Sequence, residues 1–415
     1  MKTTTRTRGR LACLCAGLAL VVSAGNARAE DPDPAITAGG NRSFFHWDLN
    51  VSAFYSARGA DLVGTDSSHW QPTDRIPRNY LGWEYIGTLG ENSWLRRLLG
   101  PLELTTIDLN PHIEVDFNPT TTPSPDSSRV EWRSTSFDIN SEDGRRTTRI
   151  KLVLHDFWLR FEPSGMERTS LRVGHFDIPY GINPIMAPRG GVFVMPPEID
   201  DIGMKKDWGA VWKGPAGEYD YELALTTGSG LGMHSPHWFD DSQPAAFVTS
   251  ARIGAPTYWN FQYGLSALYG KIPQLMADQR TGSRALSRWR VGIDGFYKLQ
   301  QHTMFMSQVG LGQNGDDPGD PDTGRDEVLA AHALVDHIPP RCQSLDLKAQ
   351  VKTVIYDLAA DQSDRTSLLL ELAWSLATPL MLRLDYVHDF DIPAAMSAMG
   401  MKADDRVYLT INYYE

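Results

Sequence analysis

Hydrophobic and polar residues alternate along most of the chain from Phe45 onward. In the segment 345–356 the odd positions are mostly aliphatic, whereas positions 346, 348, 350 and 352 carry aspartate, lysine, glutamine and lysine. The segments 258–270 and 289–300 alternate in the same way. A period of two is typical of β-strands with one apolar and one polar face. Each segment can cross a bilayer as a tilted strand, which takes about 9–11 residues.

The two faces of these strands must meet different surroundings. A Lys or Arg on the lipid side at mid-membrane costs roughly 2–4 kcal/mol. A slip of one residue in the segment 345–356 would turn Lys348 and Lys352 together toward lipid. The pattern therefore predicts an all-β fold, a transmembrane antiparallel β-barrel that is apolar outside and wet inside.

The alternating segments predict about sixteen strands, an even number as in bacterial single-chain barrels. They lie near residues 44–57, 102–117, 129–139, 148–162, 169–177, 206–214, 217–228, 245–254, 258–270, 287–299, 302–312, 325–337, 345–357, 366–377, 380–390 and 405–414. Tight connections such as 214–217 alternate with long ones such as 57–101, as expected for short periplasmic turns and long outer loops. Two connections fit less well, because 119–128 is long for a turn and 140–146 is short for an outer loop.

The start of the chain indicates export to the bacterial outer membrane. Basic residues at positions 2, 6, 8 and 10 precede an apolar run over 11–24, and Ala27-Arg28-Ala29 follows, which is typical of a secretory signal peptide. We therefore predict a signal peptide over 1–29, an N-terminal lead-in over 30–43 and a barrel over 44–415. No later stretch has the eighteen or so uninterrupted apolar residues that a membrane-spanning helix needs.

The net charge of −12 at pH 7 disfavours nucleic acid as a partner. The expected partners are small hydrophilic solutes and outer-membrane lipid. We find no Gly-x-Ser-x-Gly elbow, zinc spacing or phosphate loop, and we expect no cofactor and no catalytic residues. The acidic stretch 316–326 has the carboxylates of a calcium loop without the full EF-hand spacing, so a solvated acidic loop is the favoured interpretation.

The polar face of the predicted strands carries charges of both signs. The predicted pore-lining residues are Asp156, Arg160, Arg290, Asp294, Lys298, Lys348, Lys352, Arg383 and Asp385. In one interpretation, opposed acidic and basic rows set a transverse field that selects solutes by charge. In the other, neighbouring charges neutralise one another and only keep the wall wet.

The connection 178–205 is the candidate for a constriction, because its length and its glycine and proline content suit a loop that folds into the barrel. The predicted constriction residues are Glu198, Asp200, Asp201, Lys205 and Lys206. An ordinary surface loop is the alternative.

The run Leu171-Arg-Val-Gly-His-Phe-Asp-Ile-Pro-Tyr-Gly181, followed later by Asp201-Ile-Gly-Met204, resembles the phosphate-selective porin family. The match covers about a tenth of the chain. It implies a sixteen-stranded porin with an infolded third outer loop, assembled as a homotrimer. Anion selectivity would need a ladder of lumen arginines and lysines, and this sequence offers mixed charge with an acidic loop, so phosphate specificity does not carry over.

The sequence thus favours a passive diffusion channel that performs no covalent chemistry. Two alternatives stay open. The first is a non-conducting barrel that scaffolds a partner protein. The second is an outer-membrane hydrolase.

Overall fold

The computed structural model describes residues 42–56, 59–62, 80–91, 93–97, 100–118, 131–133, 136–143, 146–181, 202, 206–228, 247–256, 259–273, 285–299, 302–315, 326–359, 363–377, 379–391 and 405–414. The predicted signal peptide and the lead-in up to residue 41 lie outside these ranges. Among the described residues there is no helix with the length and hydropathy that a membrane crossing needs.

Nineteen β-strands make up the described structure. They are β1 (Arg42–Ser56), β2 (Gly59–Leu62), β3 (Tyr80–Thr88), β4 (Leu102–Asn118), β5 (Glu131–Arg133), β6 (Ser136–Asp143), β7 (Arg146–Pro163), β8 (Ser170–Asp177), β9 (Lys206–Ala216), β10 (Tyr219–Thr226), β11 (Phe247–Gly254), β12 (Phe261–Pro273), β13 (Ala285–Leu299), β14 (Thr303–Asn314), β15 (Asp326–His337), β16 (Leu345–Ile355), β17 (Asp364–Ala377), β18 (Leu380–Asp391) and β19 (Asp405–Tyr414).

Sixteen of these strands form a closed antiparallel barrel. The barrel runs from β1 through β3, β4 and β7, and then through β8 to β19 in chain order. It closes where β19 pairs with β1, with Ile411 opposite Val51. Closure leaves no free edge, so every wall strand has hydrogen-bonding neighbours on both sides. The predicted fold class and strand number are confirmed.

One predicted wall strand is wrong, and one wall strand was missed. The predicted outer loop over 57–101 contains β3, which pairs with both β1 and β4 and is part of the wall. The predicted strand 129–139 is not a wall strand, because β4 pairs directly with β7. The chain between them forms the short hairpin of β5 and β6. The two errors cancel in the count, and the two ill-fitting connections both fall in the part of the chain that joins β4 to β7.

The pairing of β6 with β7 explains why this segment has the alternating pattern of a wall strand. β8 pairs with β7 only over Phe157–Phe161 on the β7 side and ends at Asp177. The same edge of β7 nearer the outer end would be unpaired, and β6 pairs with it over 146–153. A strand that covers an open edge alternates just as a wall strand does.

The two faces of the wall differ as the alternation predicts. On β13, Trp289 and Val291 are 40% and 47% exposed, whereas Arg288 and Arg290 are 1% exposed. In a closed barrel the exposed apolar set lies on the outer surface and the buried polar set faces inward. Long connections at one end alternate with short ones at the other, such as the two-residue turn between β9 and β10.

Candidate functional site

The connection from β8 to β9 enters the barrel at both of its described ends. Ile178 and Tyr180, just after β8, and Ile202, just before β9, are fully buried. They pack against Val248 on β11 and Leu268 on β12, whose side chains point inward. Burying these apolar groups on an apolar patch of the inner wall removes them from the water of the lumen.

Hydrogen bonds fix the same segment to the far strands. The Gly181 N–H donates to Ser266 Oγ on β12 at 2.9 Å. Arg288 Nη1 on β13 donates to the Ile202 carbonyl at 3.4 Å. Gly181 has a φ of +74°, and a Cβ there would lie 2.0 Å from Gln308 Oε1 on β14. The positive φ favours glycine, and a larger residue would have to displace the Gln308 amide.

Four of the predicted constriction residues, Glu198, Asp200, Asp201 and Lys205, lie outside the described residues, as does the acidic stretch 316–325. Lys206 is described and is the first residue of β9. Its Nζ lies 2.5 Å from Asp156 Oδ2 on β7. This ion pair joins the return of the connection to the inner wall.

A second apolar patch lies on the inner wall beside the first. Phe176, Val211 and Ala224, on β8, β9 and β10, are buried together, and Trp158 packs against them. The Arg172 guanidinium lies 5.4 Å from the Trp158 ring and 5.0 Å from the Phe176 ring, within cation–π range. From β7 to β12 the inner wall is therefore partly apolar.

Carboxylates are concentrated on one side of the interior. Four consecutive wall strands, β1, β3, β4 and β7, each turn one carboxylate inward near mid-strand, and we call this set the acidic arc. Its members are Asp48, Glu84, Asp108 and Asp156. Asp48 accepts hydrogen bonds from Tyr80 Oη at 2.6 Å and Asn412 Nδ2 at 2.7 Å, so its position is fixed.

Cations are concentrated on another part of the wall, from β13 round to β19, which pairs with β1 of the acidic arc. Five inward-facing basic residues on β13, β16, β17 and β19 form the set that we call the basic arc. They are Arg288, Arg290, Lys352, Arg365 and Arg406. Asp389 on β18 lies within this arc, where it accepts from Arg406 Nη2 at 2.5 Å and lies 3.8 Å from Arg365. The arc remains predominantly basic.

Nearer the periplasmic end, β16 to β18 carry a mixed ion-pair network. Lys348 Nζ lies 2.8 Å from Glu371 Oε1 and 3.4 Å from Asp346 Oδ2. Arg383 Nε lies 3.1 Å from Asp385 Oδ2 and 3.8 Å from Glu371 Oε2. Two cations and three carboxylates contact one another in this network, both within and between strands.

The predicted pore-lining residues thus fall into different surroundings. Asp156 belongs to the acidic arc, Arg290 and Lys352 belong to the basic arc, and Lys348, Arg383 and Asp385 belong to the network. Asp294 pairs with Arg252, a partner that the sequence prediction did not identify. Arg160 is half-buried, and its Nη2 forms an ion pair with Glu162 Oε1 at 3.0 Å. Lys298 is exposed near the periplasmic end of β13.

Several inward charges were absent from the predicted set. Glu84 was missed because β3 was taken for a loop. Arg252, Arg288 and Arg406 stand on predicted strands, and Arg365 lies one residue before the predicted strand 366–377. Of these four, only Arg252 has apolar residues on both sides, Ala251 and Ile253, which is a usable signal. Among the described residues no group of His, Cys, Asp and Glu could hold a metal ion.

No protein-family model and no curated protein matches this sequence. Solved structures match over most of the chain. An anion-selective porin from Comamonas acidovorans matches with a TM-score of 0.54 and 10% identity over 90% of this chain and 100% of its own. OmpF of Salmonella typhi, in complex with daunomycin, matches with a TM-score of 0.54 and 10% identity over 91% of this chain and 98% of its own.

A third match is OmpT, an outer membrane protein of Vibrio cholerae, in its trimer form, with a TM-score of 0.53 and 9% identity over 91% of this chain and 100% of its own. At these identities the likeness concerns the fold, which is that of outer-membrane porins. Together with the apolar outer surface, it identifies the protein as a β-barrel of the bacterial outer membrane. The finer resemblance to phosphate-selective porins stays a prediction.

Proposed function

We propose that the protein is a passive diffusion channel for small hydrophilic or charged solutes. The observation that carries this proposal is the separation of charge inside a closed sixteen-stranded barrel, with the acidic arc on β1, β3, β4 and β7 and the basic arc on strands from β13 to β19. A solute between the arcs would exchange part of its hydration for interactions with fixed charges of both signs. No covalent step is needed for this function, and we propose no enzymatic activity.

The described ends of the β8–β9 connection, which we call the inward segment, narrow the interior of the barrel. Ile178, Tyr180 and Ile202 occupy space inside the barrel, and Arg288, Arg290, Arg365 and Lys352 are at most 1% exposed. We therefore expect a small open cross-section and a small single-channel conductance. We also propose the trimer that the family resemblance implies, for which OmpT of Vibrio cholerae gives a structural precedent.

The same burial is the one observation that favours the non-conducting alternative, a barrel that scaffolds a partner protein. Planar-bilayer recordings of the purified mature protein separate the two functions. Resolved single-channel steps support the channel. A protein that inserts into the bilayer, passes no current and co-purifies with a second protein would overturn it.

Ion selectivity tests the two arcs. The double variant Glu84→Gln/Asp108→Asn removes two acidic charges, and Arg290→Gln/Lys352→Gln removes two basic ones. We expect the reversal potential in a KCl gradient to shift toward anion preference in the first variant and toward cation preference in the second. Arg341→Gln, in the exposed turn before β16, is the matched control and should leave the reversal potential unchanged. Equal potentials in all variants would show that the arcs do not act on the permeating ions.

A further inference from the structure

The outer surface of the barrel carries a groove over β10 to β14. Its volume is about 560 Å³, within the range of about 300–1,000 Å³ that small-molecule sites have. Gly295 and Ser307, neighbours on β13 and β14, form its floor, because both are small and both point outward. The sides are formed by larger outward-facing residues, among them Ile253, Leu265 and Ile293. The lining is almost entirely apolar.

The periplasmic end of the groove is aromatic. Tyr219 and Tyr263 join their hydroxyls at 3.0 Å, and their rings meet edge to face with centroids 6.1 Å apart. The ring centroids of Phe261 and Tyr263 are 5.5 Å apart, and those of Trp259 and Tyr219 are 6.2 Å apart. Tyrosine and tryptophan concentrate at the level of the lipid headgroups, where an apolar ring and a polar tip are both satisfied.

We propose that this groove binds one acyl chain of a phospholipid from the periplasmic leaflet. The groove opens on the lipid-facing surface and is continuous with it. A chain that lies over Gly295 and Ser307 contacts protein on three sides, whereas a chain on the convex wall contacts it on one. The ester region of the same lipid reaches the Tyr219 and Tyr263 hydroxyls. Because one of these hydroxyls donates to the other, one O–H is left to donate a hydrogen bond to the lipid.

Photo-crosslinking tests the site directly. The full barrel is inserted into vesicles of phosphatidylethanolamine and phosphatidylglycerol that contain a small fraction of phosphatidylethanolamine with a photoactivatable acyl chain. We expect the cross-linked peptides to be concentrated in β12 to β14. Labelling spread evenly over the outward-facing strands would overturn the proposal.

Variants identify the groove as the cause. Ser307→Phe fills it from the floor, and we expect labelling of β12 to β14 to fall at least fivefold. Ala267→Phe adds the same bulk on the outer face of β12 outside the groove and should leave labelling unchanged. If Ser307→Phe does not insert, Gly295→Leu fills the same space. Unchanged labelling in the filled variants would overturn the proposal. If the wild-type protein is labelled evenly and the filled variants differ from it in oligomer size, the surface is instead a contact with a second copy of the chain.

Discussion

Arg252 on β11 and Asp294 on β13 form an ion pair that passes over the strand between them. Arg252 Nη2 lies 2.5 Å from Asp294 Oδ1, and Nε lies 3.1 Å from Oδ2. The pair crosses β12 at Gly264, where a Cβ would lie 2.4 Å from Arg252 Nη2. The two side chains are 3% and 0% exposed. The glycine therefore makes room for a two-point contact between two strands that are not neighbours in the sheet.

Asp294→Asn should destabilise the barrel by about 3 kcal/mol, because it leaves a buried guanidinium without its counter-charge. Urea-induced unfolding from vesicles measures the change. Glu222→Gln is the matched control, since Lys213 and Glu222 lie 3.5 Å apart with the lysine 31% exposed. There we expect at most about 1 kcal/mol. Equal losses in the two variants would contradict a special role for the pair over Gly264.

The position of β3 in the wall predicts which of its residues meet water. Glu84 faces inward, whereas Leu81 and Tyr85 are outward and exposed to lipid. In a Cys342→Ser background, which removes the exposed native thiol, Glu84→Cys should react with a charged, membrane-impermeant thiol reagent. Leu81→Cys and Tyr85→Cys should react at least tenfold more slowly. Equal reaction of all three would place 80–88 in a loop.

The alternation of side chains was sufficient to predict the fold class but not the identity of every wall strand. β12, β13 and β16 alternate over most of their length, and inward apolar residues such as Leu268 and Val354 are the exceptions. β3 was missed because Tyr80 and Ile86 interrupt its polar face. β6 was misassigned because it pairs with β7, so its residues alternate although it does not close the barrel. Pairing partners decide wall membership, and the local pattern does not contain them.

The sequence predicted several of the charged residues that face inward, but not how they are placed around the barrel. Single strands reveal inward charges such as Lys348 and Asp385. The separation of the two arcs depends on the order of the strands around the barrel, which follows from strand pairing and closure. The pair of Arg252 with Asp294 needs three strands in register, and only Gly264 in the sequence points to it.

Gly181 predicts a change in conductance. Gly181→Ala places a methyl group against Gln308 and strains a backbone at φ +74°, so we expect the inward segment to shift from β12 and β14. Single-channel currents should become larger or fluctuate between levels. Gly165→Ala is the matched control, because Gly165 has a φ of +80° in the turn after β7 with nothing within 4 Å of the added Cβ. A conductance change in both variants would trace the effect to backbone strain in general.

Removing the charge of Lys348 should lower the stability of the barrel and change its ion selectivity. It contacts Glu371 and Asp346, and when the ammonium is removed the ion pair that remains for Glu371 is the 3.8 Å contact to Arg383. Lys348→Met preserves the length of the side chain, and we expect a destabilisation of about 2 kcal/mol in urea unfolding, because a nearly buried carboxylate loses its closest counter-charge. The reversal potential should move toward cation preference, and the shift should shrink as the salt concentration rises, since mobile ions screen the exposed members of the network. Restoring the charge with Lys348→Arg should recover the selectivity. If Lys348→Met lowers the stability but leaves the reversal potential unchanged, the network stabilises the packing of β16, β17 and β18 and does not contribute to ion selectivity.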